Sequence, residues 1–102
     1  MKAILIKPYN KGYVIDVNNE IDTYHELVDG YVEAIYRGPE KEYILLVNEE
    51  GQLRHLEENV FGFVGNVVIV RNGGEDFEEL TDKDIEYFKG MGEIEWQETK
   101  IN

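Results

Sequence analysis

Two histidines, His25 and His55, and 22 acidic side chains are the groups in this sequence best placed to do chemistry. The chain has no serine and no cysteine, so a nucleophile would have to be Thr, Lys, Tyr or an acid. A histidine beside a carboxylate can run acid–base chemistry. Neither histidine, however, belongs to an HExxH motif, and isolated histidines read as surface or packing residues. Without cysteine there is no disulfide and no thiolate metal site.

Asp82, Asp84, Glu86 and Glu93 fall at the first, third, fifth and twelfth positions of a calcium loop. The sixth position needs glycine and is Tyr87. A capped helix with a solvated acidic face explains the spacing better, because a helix splays its carboxylates instead of wrapping them round an ion. Gly62 and Gly65 precede a strand, and Gly73-Gly74 opens no helix with a nearby Lys-Ser or Lys-Thr. Phosphate-cradling glycines follow a strand and open a helix, so these glycines read as turns or bulges. The expectation is no catalytic residue, no metal and no cofactor.

The acids themselves are unevenly placed. Residues 1–15 hold Lys2, Lys7 and Lys11 and no acid, and the net charge of the whole chain is −12. Gly73 to Tyr87, GGEDFEELTDKDIEY, holds seven carboxylates and one lysine. Such a field repels nucleic-acid phosphates and anionic lipids, so direct nucleic-acid or membrane binding is disfavoured and a basic protein surface is favoured. Glu75, Asp76, Glu78, Glu79, Asp82, Asp84 and Glu86 are expected to form an acidic ridge, with Glu49, Glu50, Glu57 and Glu58 extending it. The plainer reading is a solvated coat that keeps the protein soluble. The tyrosines and Trp96 could instead form the desolvated centre of an interface.

The elements that must carry these groups follow from pattern. KAILIK (Lys2–Lys7), YVIDV (Tyr13–Val17), YVEAIYR (Tyr31–Arg37), EYILLVN (Glu42–Asn48) and NVVIVR (Asn66–Arg71) read as strands. EYILLVN contains a continuous apolar run and is expected at a central position. Asn10-Lys11-Gly12 reads as the first hairpin turn. Asp22 or Thr23 is expected to cap a short helix with Tyr24, Leu27 and Val28 on one face, ended by Gly30. Thr81 is expected to cap a second helix, with Asp82 and Asp84 in its first turn, where the helix dipole favours them. Ile85 and Phe88 form its apolar face. Gln52–Asn59 is ambiguous, Phe61–Gly65 is glycine-punctuated, and EIEWQ (Glu93–Gln97) is an edge strand or a tail. The sum is a single α+β domain over residues 1–102, with a mainly antiparallel or mixed sheet of about five or six strands and two short helices. No apolar run approaches the ~18 residues of a membrane span. MKAILIKPYNK lacks the features of a signal peptide and is expected to begin the mature fold.

MKAILIKP, VDGYVEAI, VNEEGQL and FVGNVVIVRNGGEDFEELTDKDIEYF, taken in this order along nearly the whole chain, resemble the domain-of-unknown-function family DUF3846. Where many members have proline after the leucine of the turn region, this chain has Glu57 after Leu56. The resemblance implies a setting: phages, plasmids and conjugative elements of Gram-positive bacteria, hence the cytoplasm of a bacterial host. Small acidic proteins of such elements often antagonise host defences. The joint expectation is a non-enzymatic protein that blocks a basic nucleic-acid-binding host protein, such as a CRISPR effector or restriction enzyme, by charge mimicry. The alternative is an accessory or regulatory protein of the element whose acidity is only a coat.

Overall fold

A computed structural model describes residues 1–50 and 65–98. Five six-residue strands, β1 (Lys2–Lys7), β2 (Lys11–Asp16), β3 (Val32–Arg37), β4 (Tyr43–Asn48) and β5 (Val67–Asn72), form the body of one sheet. Among the described residues, two-residue strands β6 (Phe77–Glu78) and β7 (Glu95–Trp96) add to it. The order is β3-β4-β5-β1-β2-β7, with β6 beside β5. Every pairing is antiparallel except β7 on β2. Two helices, α1 (Ile21–Val28) and α2 (Asp82–Lys89), cover opposite faces.

The two-sided cover explains the apolar runs. Successive residues of a strand point to opposite faces. Leu5, Ile44, Leu46, Val68 and Val70 therefore pack with Tyr24 and Val28 of α1. Their neighbours Ile4, Ile6, Leu45, Val47 and Ile69 pack with Phe88 of α2. A strand buried on both faces must be apolar along its whole length. Burying each such side chain contributes about 1.5–3 kcal/mol.

The α+β class, the mixed sheet, the two helices and the inner place of EYILLVN are as expected. The details differ in four places. The hairpin between β1 and β2 turns through Pro8-Tyr9-Asn10, with Tyr9 and Asn10 at φ 65° and 63°. Lys11 and Gly12 already belong to β2. Gly12 is small for a different reason: a Cβ there would lie 2.5 Å from Ile94 Cγ2 and 2.9 Å from Trp96 Cε3. Helix α1 starts two or three residues earlier than a cap at Asp22 or Thr23 would set, with Glu20 at the cap position and no side-chain cap bond. It ends with Asp29, not Gly30, in the left-handed conformation (φ 59°). The Gly30 N–H then donates to the His25 carbonyl at 3.0 Å, and the Asp29 N–H to that of Glu26. β6 falls inside the acidic run, where its two residues leave no alternation to read. The expectations for Gln52–Asn59 and for Phe61–Val64 lie outside the described residues.

Candidate partner-binding surface

β5 ends at Asn72, whose side-chain oxygen accepts the Gly74 N–H at 2.9 Å and starts the turn into the acidic segment. Side chains tie that segment down. Asp76 Oδ1 accepts from the Asn19 amide at 3.1 Å and from the Phe77 N–H at 2.8 Å. Glu79 Oε1 accepts the Lys2 N–H at 2.7 Å. Asp82 Oδ1 lies 3.2 Å from Lys2 Nζ, an exposed pair that adds little energy. The Leu80 N–H donates to the Lys2 carbonyl at 3.0 Å, and the Leu80 side chain is buried. The side chains of Glu75, Glu78 and Glu86 are exposed and make no hydrogen bond or ion pair among the described residues. The result is a backbone held at fixed points with its carboxylates turned to solvent.

Two parts of the expected ridge are not there. Asp84 is 5% exposed and does structural work. Its N–H donates to Thr81 Oγ1 at 3.1 Å while its Oδ2 accepts the Thr81 N–H at 2.8 Å, a reciprocal capping box. Its Oδ1 accepts from the Tyr43 hydroxyl at 2.8 Å and from Arg71 Nη1 at 2.8 Å. Burial pushes its carboxyl up, but the bonds from Thr81 and Tyr43 and the charge of Arg71 outweigh burial and hold it below its ordinary value. Burial, and then the bond to Asp84, push the Tyr43 hydroxyl up to about 12. Glu49 and Glu50 are exposed but follow the end of β4 that pairs with the start of β5, whereas the acidic segment follows the end of β5. A six-residue strand, about 20 Å long, separates the two groups. Glu57 and Glu58 lie outside the described residues.

An aromatic cleft opens on the α2 face beside this segment. It has a volume of about 390 Å³ and is lined by Tyr43, Leu45, Tyr87, Phe88 and Met91, with Arg37 and Glu42 among its polar residues. The Tyr43 and Tyr87 rings are parallel within 6° at 6.2 Å, and Phe88 stands nearly perpendicular to both. Tyr87 is 64% exposed despite its size. Sequence reasoning missed this site, because it joins β4 to α2 across the fold and no local spacing links the two tyrosines. Trp96, expected as an interface residue, is half-buried against Gly12. His25 packs edge-on to Tyr31 at 5.6 Å, and His55 lies outside the described residues. Among the described residues no three His, Asp or Glu side chains gather to hold a metal. No helix among them is long and apolar enough to cross a membrane.

The fold and surface define a small α+β protein, a sheet between two helices, with an acidic edge next to an aromatic cleft. Residues 1–93 match the model of DUF3846, described as a domain of unknown function, and the chain belongs to that family. No curated protein matches the chain, and no solved structure does.

Proposed function

We propose that this chain is a protein-binding module that docks on a basic surface through the acidic edge of residues 75–86. In its most specific form it is an anti-defence inhibitor. It occupies the nucleic-acid channel of a host effector, such as a CRISPR effector or a restriction enzyme, in place of the phosphates that channel evolved to hold. The observation that carries this reading is the exposure of Glu75, Asp76, Glu78, Glu79, Asp82 and Glu86 on one anchored segment. Anchoring removes much of the ordering cost of binding, which is how preorganisation raises affinity. A net charge of −12 steers the encounter with a basic partner. The mobile-element setting implied by the family resemblance supplies a reason for such a partner.

The test is capture from a bacterial host lysate at low and high salt, using the wild type and the E75Q/E78Q/E86Q variant. These three acids hold nothing else in the described fold, so their neutralisation probes the surface alone. The expected result is a basic nuclease or nucleic-acid-binding protein that the wild type retains and inhibits. High salt releases it, since the screening length falls from about 10 Å at 0.1 M to about 3 Å at 1 M. The variant captures it at least tenfold less well, on the order of 1.4 kcal/mol lost.

The aromatic cleft favours a second reading, an accessory or regulatory protein of the element that binds through Tyr43 and Tyr87. A partner retained at high salt, kept by E75Q/E78Q/E86Q and lost by Y87A selects this reading over the first.

A further inference from the structure

Among the described residues the outer edge of β3, the terminal strand of the sheet, is unpaired. It matches β4 residue for residue from Val32↔Asn48 to Arg37↔Tyr43, with no bulge, no proline and no lysine. Bulges, prolines and like charges are devices that blunt such edges, whereas the two charges of β3, Glu33 and Arg37, are of opposite sign and complementary to those of a second copy. Four of its six residues are exposed, including Tyr36 at 50%. At the opposite margin β7 is only two residues long and offers a poor template.

The direction of its free backbone groups follows from one bond. The Glu49 N–H donates to the Tyr31 carbonyl at 2.9 Å, which makes Tyr31 and Glu49 a hydrogen-bonded pair. Such pairs alternate along an antiparallel ladder. Glu33, Ile35 and Arg37 therefore turn their N–H and C=O groups toward β4, and Val32, Ala34 and Tyr36 turn theirs outward. In agreement, the Tyr36 carbonyl accepts from the Arg37 guanidinium at 3.1 Å, lying along the edge.

We propose that a second copy of this chain pairs antiparallel along this edge and continues the sheet across a two-fold axis. The register is set by side chains. With Ile35 opposite its own counterpart, Ala34 faces Tyr36 of the second copy and Glu33 faces Arg37 of the second copy, twice over by symmetry. The outward groups of Ala34 and Tyr36 then form the hydrogen-bonded pairs. The Glu33 and Arg37 pairs fall at non-hydrogen-bonded positions, where side chains approach most closely. A small Ala34 leaves room for the Tyr36 ring, and the Glu33 and Arg37 pairs join opposite charges. Centring on Ala34 would set Glu33 against Ile35, centring on Tyr36 would set Ile35 against Arg37, and centring on Glu33 would set two acids against each other. The interface is isologous, as a two-fold dimer requires.

The experiment is sedimentation velocity over a concentration series with the wild type, R37E, E33R and a one-to-one mixture of the two variants. The wild type dimerises reversibly. Each single variant associates roughly ten- to thirtyfold more weakly, because two attracting cross-strand pairs become two repelling ones. The mixture regains the dimer, because each junction sets the two acids of one variant against the two arginines of the other. Hydrogen exchange of the wild type supplies a readout that needs no variant: the Ala34 and Tyr36 amides gain protection as concentration rises. A wild type that stays monomeric overturns the proposal. So does a dimer that R37E leaves intact, a mixture that fails to reassociate, or exchange at Ala34 and Tyr36 that is indifferent to concentration.

Discussion

Asp84 shows how one acid in a run of seven comes to behave unlike its neighbours. It shares a short acidic stretch with Asp82 and Glu86, yet it is buried and they are exposed. The cause is its place three residues after Thr81, where its backbone and side chain both serve the cap, and its reach to Tyr43 and Arg71. Because its folded carboxyl is held below the ordinary 3.8, the stability it contributes is present above that value and is lost as pH falls through the folded one. Asp84→Asn should cost roughly 1.5–3 kcal/mol at neutral pH, the range for hydrogen bonds to a charged group. Urea unfolding measures it. The gap between wild type and variant should close on acidification, as the wild-type carboxyl takes up a proton. A gap that persists in strong acid would mean that shape, not charge, is what Asp84 supplies.

Helix α2 is the element that fixes the acidic edge, because its first turn and the preceding segment share the anchor at Thr81 and Leu80. Thr81→Ala removes the hydroxyl that accepts the Asp84 N–H and should cost about 1 kcal/mol, while Thr81→Ser should cost much less. Chemical denaturation of both variants checks the difference. Equal losses would place the contribution of Thr81 in its methyl group. Helix α1 lacks a side-chain cap, and its stability rests on Tyr24 and Val28 packing on the sheet. This agrees with the general rule that short helices in proteins depend on packing more than on propensity.

For the whole molecule the governing quantity is net charge. A formal charge of −12 on a chain of this size works against the compact state through self-repulsion. Added salt should therefore raise the melting midpoint of the wild type. The E75Q/E78Q/E86Q variant should melt higher than the wild type at low salt, with the difference shrinking as salt screens the charges. Thermal melts across a salt series give both readings. A variant that melts lower would show that these acids support the fold, and it would weaken their assignment to a partner.

The sequence by itself determined the family, the α+β class, the five long strands and the capped second helix. These follow from local causes: apolar runs long enough for a strand, a threonine followed three residues later by an acid, and glycines at turns. It did not place the residues of the surface. Asp84 and Asp82 are both first-turn aspartates of one helix; the cap position of Asp84 is local, but its contacts with Arg71 and Tyr43 come from the packing of α2, while Asp82 stays exposed. Glu49 and Glu75 look like parts of one charge cluster until the β4–β5 register puts a strand's length between them. The aromatic cleft and the open edge of β3 are likewise products of topology, since each depends on which elements become neighbours. Local propensity acts over a few residues. The choice of neighbours is made by the burial of both sheet faces at once, which only the tertiary structure expresses.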